Sequence, residues 1–350
     1  MQGMTFDLPP KRLDGAMPTI KDIAKAARVS TATVSAVINS SAFVSPELRG
    51  RVEQAVRDLG YVPSRAARSL RSGRSGLIAL SVADLANPFY ARIIRAAEAC
   101  ASARGYALVV FNSDENRDSE TSILQRVQAL GCDGLLIVPV GAPSEYAAGE
   151  LTSAPPKVLL GRAIEGEPVD AVVIDNFSAG RQATEYLLDL GHRRIGSITG
   201  RMAISTGRGR LDGMIMAMHA RGCAPLERDI RTGEFREEVA YSAALDLLRG
   251  DDRPTALYVA NGVMALGVMR ALADLGLRCP QDISIASTDT IAGHVGVSPR
   301  LTRTEHPVAE MTTEAVRLLL ERINGKDTSK PRTIVFAPSL IVGDSCAPLR

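Results

Sequence analysis

The chain has 350 residues, of which 45% are hydrophobic. That is enough for two or three domains with cores of their own and excludes a disordered or fibrous chain. The net charge of +2 hides an asymmetry: residues 1–75 hold 12 Lys/Arg against 6 Asp/Glu, and the remainder 29 against 33, the footprint of a basic DNA-reading module on a mildly acidic body. The sequence has no run of 18 apolar residues and no signal-peptide pattern, so no membrane partner and a soluble, cytoplasmic protein are expected.

Residues 1–17 carry two prolines, mixed charges and no periodicity, so a disordered tail is expected, with Met17 a candidate translation start. Thr19 then stands at an N-cap with Asp22 three residues on, and Ile23, Ala24 and Ala27 follow at helical spacing. Arg28-Val29-Ser30 breaks the run. Ser30 or Thr31 can cap a second helix that buries Val34, Val37 and Ile38, while its other face carries Thr31, Ala32, Thr33, Ser35 and Ala36. Such small and hydroxylated side chains let a helix lie close to a DNA backbone and its base edges, which makes 31–39 a candidate recognition helix; taken alone, the stretch also suits a plain helical hairpin. Ser45-Pro46-Glu47 opens a third helix with Leu48, Val52, Val56 and Leu59 on its apolar side, and Gly60 ends it. The segment 61–74 is short and basic, marginal as an isolated helix.

Several motifs in fixed order carry a resemblance: T-I-K-D-I-A from Thr19, V-S-x-x-T-V-S from Val29, Asn39 ending the helix, G-Y-x-P from Gly60, A-A-R-S-L-R-S-G from Ala66, and Asn87-Pro88-Phe89-Tyr90. On these residues the chain resembles, from residue 18 onward, the lactose/galactose repressor family of bacterial transcription regulators. The resemblance implies a small all-α helix-turn-helix DNA-binding domain at 18–62, a hinge helix and linker at 63–75, and a two-lobed, periplasmic-binding-protein-like domain at 76–343.

From Leu77 the pattern changes to alternating strands and helices. Strands are expected at 77–82, 106–111, 134–138, 157–160, 171–174, 195–199, 256–260, 282–286, 333–337 and 340–342. Helices are expected at 89–104, 117–130, 178–190, 208–221, 237–249 and 262–275. Such alternation makes doubly wound parallel α/β sheets, and about 265 residues is long for one sheet. The resemblance implies lobe 1 at about 76–176 with 307–334 and lobe 2 at about 177–304 with 335–343, with a small-molecule effector between them at the carboxyl ends of the strands. No heptad pattern follows 340–342, so a homodimer is expected rather than a coiled-coil tetramer.

For DNA, the resemblance implies a pseudo-palindromic double-stranded operator, with Thr31, Ala32 and Ala36 at the base-reading positions. Relatives often carry Arg at the position of Ala36. Ala36 can at most touch a thymine methyl, so the half-site is expected to differ there. Ser30, Thr33, Ser35, Asn39 and Thr19 are placed for phosphate or sugar contacts, with local capping as the alternative. Arg28 stands where many relatives have a turn glycine, so the turn is either strained or differently shaped, and Arg28 becomes a candidate phosphate contact. Tyr61 belongs to the matched G-Y-x-P motif. Ser64–Arg71 matches the hinge helix, with Ala67 the small residue that lets two hinge helices pack and Leu70 the minor-groove wedge.

For the effector, the resemblance places Phe89 and Tyr90 at the cleft wall, with Arg162 a further polar contact. Arg210 matches the effector-binding arginine, and Arg208 is second choice. Phe235 matches an aromatic that closes over the ligand, Asn261 and Asp289 a polar pair at strand ends, and His306 a position often Gln. Three departures stand out: Gly262 after Asn261, Ser287-Thr288-Asp289 in place of G-F-D, and Gly343 in place of a last-strand arginine. Four basic side chains would suit an acidic or phosphorylated sugar, unless they pair with Asp175, Asp212 or Asp289.

Two other classes fit less well. A solute-uptake protein would share the body but not the head. An enzyme would need a nucleophile or phosphate loop, and the sequence has no G-x-S-x-G, P-loop or G-x-G-x-x-G after a strand. The five cysteines (Cys100, Cys132, Cys223, Cys279, Cys346) include no C-x-x-C and are expected as buried, reduced thiols. The four histidines lack metal-ligand spacing, so no metal and no cofactor are expected.

Overall fold

The computed structural model describes residues 18–39, 42–61, 73–250, 252–289, 298–325 and 329–349. The chain forms two compact units, Met1–Ser75 and Gly76–Arg350. The expected tail 1–17 and the hinge positions Ser64, Ala67 and Leu70 lie outside the described residues, as does the side chain of Asn39.

In the first unit the Asp22 carboxylate accepts the Thr19 amide and hydroxyl, both at 2.8 Å, and starts α1 (Ile20–Ala27). Arg28 ends α1 in the left-handed region at φ 51°, ψ 50°, so the strained alternative holds. Arg51 caps that end by donating to the carbonyls of Ala27 at 2.5 Å and Arg28 at 3.1 Å. Ser30 is the cap of α2 (Thr31–Asn39): its Oγ accepts the Thr33 amide at 3.0 Å. Ser45 caps α3 (Pro46–Leu59), and Gly60 closes it at φ 61°. Ile23, Ala24, Ala27, Val34, Val37, Val52 and Ala55 form the core. Ala55 is buried in this core, whereas Leu48, expected there, stays half-exposed.

The second unit contains two sheets of the same design. One holds β1 (Leu77–Val82), β2 (Ala107–Asn112), β3 (Gly134–Ile137), β4 (Lys157–Gly161), β5 (Asp170–Ile174) and β11 (Thr333–Phe336), all parallel, in the order β11-β5-β4-β3-β1-β2. The other holds β6 (Ile195–Thr199), β7 (Ile230–Thr232), β8 (Ala256–Val259), β9 (Ser284–Thr288), β10 (Thr302–Glu305) and β12 (Ser339–Ile341). Its order is β12-β10-β9-β8-β6-β7, with only β12 antiparallel.

Each sheet is covered on both faces, which is why its strands read as continuous apolar runs. In the first, α4 (Pro88–Ser102) and α10 (Val308–Ile323) pack on Ile78, Leu80, Leu136 and Val158, and α5 (Arg117–Ala129) packs on Ala79, Leu135, Ile137 and Leu159. In the second, α8 (Glu237–Leu248) and α9 (Gly262–Asp274) cover Leu257, Val259 and Ile285, while α6 (Asn176–Asp189) and α7 (Ser205–Ala220) cover Ile195, Tyr258 and Ala286. Fully burying each such side chain contributes roughly 1.5–3 kcal/mol.

Several details differ from expectation, among them β7, β10 and α10, which were not expected as elements. The strand expected at 282–286 is Ser284–Thr288, because the Asp282 carboxylate turns back to accept the Arg278 amide at 2.8 Å. Of the five cysteines only Cys132 is fully buried; all are free thiols. Gly343 has a structural reason: a Cβ there would lie 2.2 Å from the Arg300 carbonyl oxygen, so no arginine fits on this backbone.

Candidate functional site

The carboxyl ends of both sheets face one cavity of about 40 Å3. On the first-lobe side, Asn87 caps α4 by accepting the Phe89 amide at 3.0 Å, and this sets Phe89 and Tyr90 edge-to-face, ring centroids 5.2 Å apart. Burial pushes the Tyr90 phenol well above its ordinary pKa, so it stays protonated. The turn after β2 places Asp114 and Glu115 in consecutive left-handed conformations, φ 53° and 52°. Glu115 thereby meets Arg162, which follows β4, in a bidentate pair at 2.5 and 2.9 Å; Arg162 also donates to the Pro139 carbonyl at 3.1 Å. Burial works against the Arg162 charge, but the Glu115 carboxylate bonded to it outweighs this and raises its pKa.

The second lobe answers with its own left-handed pair after β7, Glu234 and Phe235 at φ 55° and 62°. The Phe235 ring faces the Arg162 guanidinium at 5.3 Å and lies over Gly200, where a Cβ would come within 2.0 Å of it. From α7, Arg210 donates to Asn176 Oδ1 at 2.9 Å and to the Ala260 carbonyl at 2.5 Å, and stands 3.7 Å from Asp289. Asn261 caps α9 by accepting the Met264 amide at 2.8 Å. Asp289 is itself left-handed at φ 64°, and its carboxylate lies 3.4 Å from His306 Nε2. Neither ring nitrogen of His306 has a hydrogen-bond partner, and burial pushes its pKa down to about 4, so the ring is neutral.

Seven of the nine expected effector residues thus line one cavity: Phe89, Tyr90, Arg162, Arg210, Phe235, Asn261 and Asp289. Arg208 does not join them. It is exposed, lines a neighbouring cavity and donates to the Met202 carbonyl at 3.4 Å, because residues two apart on a helix face different ways. His306 is buried behind Asp289 and against Phe89 rather than on the lining. Sequence reasoning missed Glu115 and Thr206. The Thr206 hydroxyl, at the start of α7, is buried and has no protein partner, although the residue lines the cavity.

In the first unit Thr19, Thr31 and Ala32 are exposed, and Thr33, Ser35 and Ala36 are half-buried along α2. Ser30 is exposed and shares a hydroxyl contact with Thr33 at 2.9 Å. Tyr61 is half-buried against the head's core. No residue of α2 is charged, so this helix offers hydroxyls, methyls and backbone amides to a partner.

A helix-turn-helix head on a two-lobed body with a cleft defines a DNA-binding regulator with an effector domain. Residues 19–64 match the family model described as bacterial regulatory proteins, lacI family, and residues 184–346 match that of the periplasmic binding protein-like domain. The chain is 35% identical over 337 residues to the HTH-type transcriptional repressor PurR of Edwardsiella ictaluri (strain 93-146), covering 95% of this chain and 97% of that protein. It is likewise 35% identical to the PurR repressor of Yersinia pestis (strain Pestoides F) over 333 residues, 95% and 97% of the two chains. Among solved structures it is similar to a complex of the transcriptional regulator CelR with cellobiose, at 32% identity and TM-score 0.71, covering 94% of this chain and 99% of that one. It is also similar to the Lac repressor dimer bound to operator and the anti-inducer ONPF, at 27% identity and TM-score 0.84, covering 95% and 100%. The chain belongs to the lacI family of bacterial transcription regulators. Among the described residues no helix is long and apolar enough to cross a membrane.

Proposed function

We propose that this regulator is a cytoplasmic homodimeric repressor, with no catalytic role, that reads a pseudo-palindromic operator through α2. Its operator affinity is set by an uncharged ring molecule, a sugar or a planar base, in the cleft. The observation that carries the effector class is the pairing of both cleft arginines: Arg162 is bound to Glu115 and Arg210 faces Asp289. With His306 neutral, the cleft holds balanced charge, so an acid or a phosphate would have to displace a buried carboxylate at high cost. Phe89, Tyr90 and Phe235 offer ring faces, while Thr206, Asn261 and Asp289 offer hydrogen bonds to hydroxyls or ring nitrogens. The cellobiose in the CelR complex is compatible with such a ligand.

In this reading Thr31, Ala32 and Ala36 face base edges; Thr19, Ser30, Thr33, Ser35 and Asn39 position the head on the backbone; and Tyr61, Ser64, Ala67 and Leu70 belong to the hinge side. The cavity, at about 40 Å3, is far smaller than the roughly 300–1,000 Å3 of an ordinary ligand pocket, so in this reading the lobes part to admit a ligand. Ligand affinity that differs between the open and closed lobes is the coupling to DNA.

The test is a thermal-shift screen against neutral sugars, nucleobases, sugar acids and sugar phosphates. A ligand at 100 times its Kd adds about 2.7 kcal/mol. Hits among neutral molecules that change operator affinity are expected; hits confined to acids or phosphates would overturn the effector class. For the hinge, Leu70→Ala is expected to abolish specific operator binding and spare salt-sensitive nonspecific binding, and equal loss of both would remove the wedge.

A further inference from the structure

Both sheets of the body end, on one side, in the same stretch of chain. β11 closes the first and β12 the second, with only Ala337 and Pro338 between them, and among the described residues no strand pairs with the outer side of either. From Thr333 to Gly343 this ribbon carries no charged residue. Val335 is 58% exposed, Val342 55% and Ile341 40%. The opposite edges are guarded: the Arg126 guanidinium lies 5.0 Å over Phe111 of β2, and β7 carries Arg231. An unguarded apolar edge is a template for a further strand, which proteins ordinarily blunt with charge.

The pairing pattern fixes which backbone groups are open. The carbonyls of Arg332 and Phe336 turn inward, to the amides of Ala171 at 3.0 Å and Asp175 at 2.9 Å, so by alternation Thr333 and Val335 present their groups outward. In the second sheet the Thr304 carbonyl accepts the Asp289 amide at 2.8 Å and so faces β9. Leu340, opposite Thr304 on β12, therefore faces out, and so does Val342 two residues on.

We propose that two copies of this chain pair through this ribbon, antiparallel about a two-fold axis at Ala337–Pro338, so that homodimers assemble in twos. The register satisfies the open groups: Val335 of one copy meets Leu340 of the other and Thr333 meets Val342, and the two-fold makes each contact twice. Charge at the ends selects a second copy over a foreign strand. Antiparallel pairing sets the Arg332 end of each ribbon against the Asp344 end of the other. Within the chain Arg332 stands 3.7 Å from Glu321 and Asp344 2.7 Å from Arg300, yet both side chains are exposed enough, at 43% and 58%, to take a further partner. The inference goes beyond the homodimer proposed above, which brings two heads to one operator; the ribbon joins one homodimer to another.

Sedimentation of the full-length protein at rising concentration tests this, and a four-chain species is expected. Val335→Lys is expected to leave two chains with unchanged affinity for a single operator, since Val335 belongs to neither the head nor the cleft. Val335→Pro removes only the outward amide and is expected to act alike, which serves if the lysine variant does not fold. Asp344→Lys is expected to weaken four-chain assembly roughly tenfold, because the axis repeats the pair, and Arg332→Glu added to it to restore assembly. A parent that stays at two chains at every concentration overturns the proposal, as does a four-chain Val335→Lys. A parent that stays at two chains but takes up an added extended peptide assigns the edge to a foreign strand and overturns it too. If Val335→Lys falls to one chain and loses operator binding, the ribbon is the contact of the homodimer itself and the second contact is overturned. A one-chain parent removes the homodimer reading and this inference together.

Discussion

The turn after β2 and the turn after β7 share a backbone and differ in chemistry. Asp114–Glu115 and Glu234–Phe235 are both consecutive left-handed pairs that lead into a helix, one in each lobe. The first brings a carboxylate to Arg162 and the second an aromatic ring, so one guanidinium is held by charge from its own lobe and by a π-face from the other. Each left-handed non-glycine residue costs roughly 1–2 kcal/mol. Of the six among the described residues, only Arg28 lies in the head; the other five belong to the turns and strand end around the cleft. Strain of this kind persists where surrounding structure over-determines it. Here Arg201 donates to the Glu115 carbonyl at 3.0 Å and Arg236 to the Asp114 carbonyl at 2.9 Å, both reaching across from the second lobe.

The comparison is broken most strongly by Glu115→Ala. Arg162, only 6% exposed, would be left charged without its carboxylate, and a loss of about 3–5 kcal/mol in urea unfolding of the body is expected. The second effect is on pH. His306 is faced by Asp289 after β9, Arg210 on α7, Arg92 on α4 and Glu305 at the end of β10, and burial holds its pKa at about 4. The unfolded chain takes up this proton first, near pH 6.5. The neutral ring's contribution is therefore complete above about 6.5 and is lost as pH falls toward 4, on the order of 3 kcal/mol in all. Unfolding free energies at pH 7 and 4.5 should fall apart less in His306→Gln than in the parent. Third, Gly200→Ala sharpens the contrast between the two turns, since it displaces the Phe235 ring and leaves Glu115–Arg162 intact. A cost of about 1–3 kcal/mol and weaker effector binding in titration are expected. The smallest effect concerns the head: Arg28→Gly relieves the one left-handed non-glycine residue among those described there and should raise its stability by about 1 kcal/mol, read as a higher melting temperature.

Much of this architecture was legible because buried parallel strands and short capped helices announce themselves by apolar runs and N-cap residues. β10 was not read as a strand, since its sequence is Thr-Arg-Thr-Glu. Its buried side chains are satisfied by hydroxyls, with Thr304 Oγ1 3.1 Å from Thr288 Oγ1, rather than by apolar contact. Periodicity carries no trace of such pairing. Glu115 escaped for a related reason, as its partner lies 47 residues away and a left-handed glutamate has no local signature. The arginines were found, and for Arg210 the partner too, since Asp289, 3.7 Å away, was among the acids considered; Arg162 took Glu115, which was not. Arg208 and Arg210 could have been separated from helical geometry alone.

The identical strand order of the two sheets has a consequence for synthesis. The first sheet's edge strand β11 and its covering helix α10 are encoded after the first five strands of the second sheet. About 160 residues separate the end of β5 from the end of β11, on the order of 10–30 s on the ribosome. Until then β5 is an open edge, and the face built by Ile78, Leu80, Leu136 and Val158 lacks one of its two helices. The nascent chain therefore makes five of the second sheet's six strands before it can finish the first, and through that interval the unpaired edge is open to wrong partners.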